Sequence, residues 1–471
     1  MPPQKPKDWT DVLNTVAYGY ASLQQHGDDW RDPVSHFVMN FDTGSMSENC
    51  LNLNVWTQEL GQGKRPVLVW IHGGGFQNGS SFEMLPYDGE NVVRRGDIVF
   101  VSLNHRLNAL GFLDLSTVGG DEFKSSANVG MLDIAAALEW VRDNIEHFGG
   151  DPNNVTICGQ SGGGGKVNAL MRMPAAKGLF QKAIIQSGSF RRFREPADSS
   201  RVGQALAKRL GVEGHDLTKL QDLPYDELMA AANQAVQDLR KENRDATMMG
   251  RFGWGPTADG TVITSNGAKD FSLGIPLIVG FTRNEMATSA FDRSIDNLSA
   301  EEAKSRLEKM YPGKGGALYS AFQKEYPDGT PEFLYSVGAA MMFSGEAIKQ
   351  IEERAGQAGA APVYGYRFDW RPDIYDGRLG AFHSLEIAFT FDNTERWASA
   401  TGGGERAQRL ATLMSQAWIN FARSGNPNHR ELAHWPACDN SDKPFMVFDD
   451  VCRIVNDPDA ASYKLLHRSE G

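Results

Sequence analysis

Six short runs rich in β-branched and aromatic residues recur along the chain: "PVLVWIHG" (66–73), "DIVFVSLNHR" (97–106), "NVTICG" (154–159), "KAIIQSG" (182–188), "PLIVGFT" (276–282) and "VYGYRFDW" (363–370). Runs this continuously apolar need cover on both faces, which is what crossover helices supply to a mostly parallel sheet. Between two of them lies "GMLDIAAALEWVRDNIEHFGG" (130–150). There Met131, Ile134, Ala135, Leu138, Val141 and Ile145 fall at helical spacing, and the Gly149–Gly150 pair is expected to stop the helix. The alternation defines an α/β fold. From 196 to 359 the pattern turns mainly helical, as in "EEAKSRLEKMY" and the run 332–354. The expectation is a single domain over 1–471 with a helical cap inserted at 196–359.

The chain has 471 residues, 41% of them hydrophobic and 23% charged, ample for a large core. Its net charge of −12 argues against a nucleic-acid partner, which needs a basic footprint. No stretch approaches the ~18 apolar residues of a membrane span. The start "MPPQKPKDWTDV" has no apolar core of a signal peptide. Localisation and oligomeric state stay open. Cys50, Cys158, Cys438 and Cys452 match no metal spacing; the last two could pair across a hairpin, or all four could be buried thiols.

The stretch "CGQSGGGGKV" (158–167) carries the first chemical signal. A phosphate loop anchored on Lys166 would put Gln160 where the first glycine belongs and Val167 where a hydroxyl belongs, so that reading fails. The dinucleotide fingerprint fails too, since its last glycine falls on Val167 or Asn168. The elbow pattern G-x-S-x-G fits, with Gly159, Ser161 and Gly163 following a strand and opening a helix. Such a turn presents the serine hydroxyl as a nucleophile. A second loop, "WIHGGGFQNG" (70–79), also follows a strand and offers bare backbone N–H groups. The expected oxyanion donors are Gly74, Gly75 and Gly162.

A serine nucleophile needs a base and an acid, in the chain order serine, acid, histidine. Of ten histidines, His72 belongs to the glycine loop and His105 to a turn, while His26, His36, His147, His215, His429, His434 and His467 sit in polar or helix-end settings. His383 in "RLGAFHSLEIAFTF" enters an apolar helix downstream of every acid candidate. Glu285 follows the strand in "IPLIVGFTRNE" and is the expected acid. Asp259 competes, but its D-G pair reads as a turn. Glu386 is expected to anchor the histidine loop.

Together these motifs resemble the type-B carboxylesterases, the α/β-hydrolase family that includes the cholinesterases. The matching stretches are "SENCLNLNVW", "PVLVWIHGGGF", "VFVSLNHRLNALGFL", "NVGMLDIAAALEWVRDNIEHFGGDPNNVTICGQSGGGG", "IIQSGS", "GFTRNE" and "GAFHSLEIAF". The resemblance implies an α/β-hydrolase fold and an esterase with Ser161 as nucleophile, Glu285 as acid, His383 as base and no cofactor or metal. It implies that Ser187 supports the triad from behind. Gly162 stands where the family often has alanine, a change expected to be harmless to an N–H donor. Family members usually begin with several strands ahead of a segment like "PPQKPKDWTDV", so a sheet short of those strands is expected, and Cys50 would lack its usual upstream partner. Asn40 stands where cholinesterases carry a choline-binding tryptophan, so choline esters are not expected. By the family's layout "GSFRRFREPAD" lies near the acyl pocket, where Arg191, Arg192 and Arg194 could receive a carboxylate-bearing acyl group; the plainer reading of these arginines is a solvated basic loop. The expected activity is hydrolysis of small to medium esters through an acyl-enzyme. An amide, carbamate or lactam hydrolase is the nearest alternative, and a non-catalytic binding relative is a further one.

Overall fold

The computed structural model describes residues 1–6, 9–25, 33–42, 44–212, 214–244, 251–267 and 272–467. Among these, nine strands form one sheet: β1 (Leu53–Trp56), β2 (Gly61–Ile71), β3 (Val99–Leu103), β4 (Phe148–Gln160), β5 (Lys182–Gln186), β6 (Leu277–Thr282), β7 (Val363–Phe368), β8 (Pro444–Phe448) and β9 (Arg453–Asn456). Their order is β1-β3-β2-β4-β5-β6-β7-β8-β9. The strands β3 to β8 pair in parallel, and β1 and β9 close the two edges in antiparallel.

All six strands read from apolar runs lie in this sheet. The three not read that way are β1, whose side chains are all half-buried, the exposed edge strand β9, and its five-residue partner β8. Alternate residues of each central strand enter different cores. Val67, Val69 and Ile71 of β2 pack on one face with Val155 and Ile157 of β4, while Leu68, Trp70 and Cys158 pack on the other. This two-residue period is the pleat of a strand covered on both faces.

The helices supply that cover: α1 (Pro33–Met39), α2 (Glu90–Gly96), α3 (Asn108–Phe112), α4 (Val129–Asn144), α5 (Gly162–Leu170), α6 (Pro196–Leu210), α7 (Tyr225–Glu242), α8 (Ala300–Met310), α9 (Gly315–Glu325), α10 (Pro331–Ala355), α11 (Glu386–Thr390), α12 (Ala398–Thr401), α13 (Gly404–Ser424) and α14 (Ala460–His467). On one face α4 presents Met131, Ile134, Leu138 and Val141. On the other, α13 presents Leu410, Met414, Trp418 and Phe421. The helix α4 ends at Asn144, short of the Gly149–Gly150 pair. Those glycines belong to β4, where Gly150 pairs with Arg65. The stretch 196–359 holds α6 to α10 but also β6, so its helices form two excursions from the sheet rather than one insertion. The first, α6 and α7, builds a satellite core with Leu113 and Leu115. All four cysteines are free; Cys438 and Cys452 face the carbonyls of Pro444 and Asp449 instead of each other.

From β2 the chain crosses to β3 on one side and then returns past β2 to β4 on the other. A parallel sheet that reverses direction leaves a crevice at the carboxyl ends of the strands, and ligands of open α/β sheets bind there. The glycine loop leaves β2 at that crevice and Ser161 leaves β4.

Candidate active site

Ser161 sits between β4 and α5 at φ 57° and ψ −124°, a conformation L-residues rarely adopt. The surroundings enforce it. The Ser161 N–H donates to Gln186 O at 2.8 Å, and Gly165 N–H donates to Ser161 O at 3.1 Å. A Cβ on Gly159 would collide with the Gly163 backbone, and one on Gly163 would collide with Ile71 O. Only glycine lets strand and helix approach this closely, so the strained turn is locked by packing. The serine itself is partly open to solvent.

The loop after β2 turns through Gly74 and Gly75 at φ 73° and 63°. Its carbonyl at Gly74 accepts from Gln77 and Asn78, while among the described residues no loop or side-chain acceptor takes the N–H of Gly74 or Gly75. Gly75 lies directly against the elbow. A Cβ on Gly162 would fall on the Cα and carbonyl of Gly75, well inside contact distance. Glycine at 162 therefore has a steric reason beside its N–H: the two backbones occupy the space that a methyl there needs. Gly162→Ala is expected to push the loop outward and lower kcat about 10-fold or more, with KM changed less, since misplaced oxyanion donors lose transition-state contacts. Steady-state kinetics on a chromogenic ester checks this.

His383 lies between β7 and α11, and Glu285 follows β6 at φ 46°. Both are buried. The two backbones meet in a bridge, with His383 N–H donating to Glu285 O at 3.1 Å. Their side chains meet too: His383 Nδ1 is hydrogen-bonded to Glu285 Oε2, and Glu285 Oε1 accepts from Thr282 N–H at 2.9 Å. The carboxylate therefore sets the imidazole so that Nδ1 carries the proton and Nε2 is the acceptor. Gln160 meets that acceptor, its Nε2 lying 3.2 Å from His383 Nε2, while its Oε1 accepts from Ser384 Oγ at 3.1 Å.

Asp259 accepts from the N–H groups of Thr261, Val262 and Ile263, as a turn aspartate does, and stays away from the histidine. Glu386 faces Gln186, not His383. Burial, and then the charge of Glu285, push its carboxyl up to about 8. His72 and His105 stack on each other at 4.9 Å, and burial holds both imidazoles well below their ordinary value. His26 and the side chain of His215 lie outside the described residues.

Two expectations are corrected. Ser187 stands beside the elbow at φ 47°, but among the described residues its buried Oγ makes no hydrogen bond to Glu285 or His383. The three arginines do not converge on an acyl pocket. Arg191 pairs with Glu353, Arg192 points into solvent with 86% of its side chain exposed, and Arg194 donates to the carbonyls of Arg251 and Trp254. Segments distant in sequence, α10 for Arg191 and the irregular stretch 251–254 for Arg194, supplied partners that a local reading of "FRRFRE" could not include. What does approach the site is aromatic. Phe343 of α10 packs on the His383 ring at 5.0 Å and on Phe190 at 5.6 Å, and Phe76 and Phe190 face Gly165. Phe343 had no motif to mark it, being one apolar residue in an apolar helix.

A strained serine at the carboxyl end of a parallel sheet, with a glycine loop packed against its turn and a carboxylate-held imidazole bonded to the residue before it, is the arrangement of an α/β-hydrolase. The carboxylesterase family model matches residues 1–465. The chain is 35% identical to the para-nitrobenzyl esterase of Bacillus subtilis, over all of this chain and 91% of that protein. It is 34% identical to the phenmedipham hydrolase of Pseudarthrobacter oxydans, over 97% of this chain and 90% of that one. Among solved structures, an esterase from Clostridium hathewayi described as hydrolysing aliphatic aromatic polyesters matches with a TM-score of 0.78 at 35% identity, covering 96% of this chain and 88% of that one. The chain belongs to the carboxylesterase family, whose reaction is hydrolysis of carboxylic esters. No helix among the described residues is long and apolar enough to cross a membrane.

Proposed function

We propose that this esterase hydrolyses small to medium neutral carboxylic esters through an acyl-enzyme on Ser161. What supports the reading is the strained Ser161 elbow, the Gly74–Gly75 loop packed against it, and the His383–Glu285 pair held to Gln160, the residue before the serine. Ser161 Oγ attacks the ester carbonyl while His383 Nε2 takes its proton. To do so the hydroxyl replaces the Gln160 amide at Nε2; such hydrogen bonds commonly tighten only when substrate is bound. The N–H groups of Gly74, Gly75 and Gly162 receive the negative oxygen of the tetrahedral intermediate. His383 then protonates the departing alcohol, and water repeats the sequence in reverse to free the acid. Glu285 holds the imidazole ring in place through its hydrogen bond to Nδ1 throughout.

The aromatic surroundings of the site favour uncharged acyl and alcohol groups, and the engagement of Arg191 and Arg194 elsewhere removes the argument for carboxylate-bearing ones. The para-nitrobenzyl esterase relative is named for such an ester. The test is a side-by-side assay of p-nitrophenyl butyrate and the matching p-nitroanilide. The reading expects kcat/KM for the ester to exceed that for the amide by about 10³-fold or more, because the amine is the harder leaving group. Comparable values would make the protein an amidase that tolerates esters.

A further inference from the structure

Lys166 lies on α5, five residues after Ser161, and none of it reaches solvent. A buried ammonium is costly unless partnered, and the partners here are specific. Its Nζ donates to His72 O at 2.9 Å and to Gly73 O at 3.2 Å, and it lies 5.8 Å from the centre of the Phe76 ring. The carbonyl of Gly73 belongs to the same peptide unit as the N–H of Gly74. A cation on that carbonyl draws electron density through the amide and makes the N–H a stronger donor, since linked hydrogen bonds polarise one another.

We propose that Lys166 is a positioning residue of the oxyanion hole, pinning the glycine loop from behind and charging the Gly73–Gly74 peptide toward the tetrahedral oxyanion. This rests on the reading of Gly74 as an oxyanion donor. The unit charge sits one peptide away from the charge that develops in the transition state, at a position itself closed to water, so it acts on kcat more than on substrate binding.

Burial lowers the Lys166 ammonium to about 7. The titratable groups around it are Glu83 and Tyr87 from the segment before α2, His72 from its own loop, and His105 with Arg106 behind it. The two histidines stay neutral and Tyr87 is pushed well above its ordinary value. Glu83 is raised to about 7, and its negative form supports the lysine charge. The protonated lysine is the active form, so kcat/KM should fall on the alkaline side as the charge is lost.

The experiment measures kcat, KM and Ser161 labelling by a fluorophosphonate for wild type, Lys166→Met, Lys166→Arg and Glu83→Gln, from about pH 5.5 to about pH 9.5. Expected for Lys166→Met is intact labelling, kcat lower by about 10–100-fold, KM within about 3-fold, and a flat alkaline side. Lys166→Arg keeps its charge at every pH tested, so it should recover activity and also lose the alkaline fall. Glu83→Gln should move that fall to lower pH. An unchanged kcat in Lys166→Met, or an alkaline fall that survives there, overturns the proposal. If Lys166→Met does not fold by circular dichroism, an alkaline fall that is absent from wild type or shared with Lys166→Arg overturns it. Wild-type hydrolysis without any Ser161 adduct would instead overturn the underlying reading, and this proposal with it.

Discussion

Ser161→Ala is expected to fold normally and to lose about 10⁵–10⁶-fold in kcat toward p-nitrophenyl butyrate, with KM changed little. The hydroxyl is the only part of the site that becomes covalently bonded to substrate in this mechanism, and no neighbour can replace it. Ser187 lies next door, but its Oγ is buried and, among the described residues, not hydrogen-bonded to any base. The residual rate comes from the glycine loop and from substrate positioning, which survive the substitution. Stability should rise or stay level, because alanine removes no buried hydrogen bond, although it keeps the positive φ at 161. Thermal melts beside the kinetics separate the two effects. A kcat within about 100-fold of wild type would mean that the ester is cleaved elsewhere.

Glu285→Gln is expected to cost about 10⁴-fold in kcat at neutral pH. The substitution is nearly isosteric, so the loss reports chemistry rather than packing. In the native site one carboxylate oxygen accepts from Thr282 N–H and the other from His383 Nδ1. A glutamine that keeps its oxygen on Thr282 turns its NH₂ toward Nδ1. Nδ1 must then become the acceptor, and the imidazole proton moves to Nε2, where it blocks the step that takes the serine proton. The imidazolium also loses its counter-charge in a buried position. Because the fault is a tautomer, activity should recover partly at high pH, where hydroxide can remove the misplaced proton. A drop of about 10-fold or less would assign Glu285 a purely structural role.

Much of the sheet was legible because strands buried on both faces must be apolar throughout, and that leaves a run visible without neighbours. Edge strands escape the rule. β1 carries Asn54 in mid-strand and β9 is four residues with a charged start, so neither makes an apolar run. The elbow and the glycine loop were legible for a steric reason: Gly159, Gly163, Gly74 and Gly75 occupy positions where a side chain collides or the backbone turns the wrong way. His383 and Glu285 could be picked by chain order.

What stayed hidden depends on contacts between distant segments. The sequence places Gln160 beside Ser161, but its amide on His383 is set by a loop 223 residues away. That a methyl does not fit at Gly162 depends on Gly75, which the fold presses against it from another loop. The three arginines looked like a basic patch because Glu353 and the carbonyls of Arg251 and Trp254 lie far along the chain. Lys166 read as a polar residue closing a glycine run, and nothing local marks it as wholly buried. Local pattern reports which backbone conformations are possible; it does not report which polar groups have already found partners.

The most direct test of the central claim is peptide-level mass spectrometry after a fluorophosphonate probe, on protein shown to be folded by far-UV circular dichroism and active on a chromogenic ester. The account predicts one stoichiometric adduct on the peptide containing Ser161, loss of ester hydrolysis in step with labelling, and no adduct in Ser161→Ala. A folded, ester-cleaving protein that carries its adduct elsewhere, or none, would contradict it.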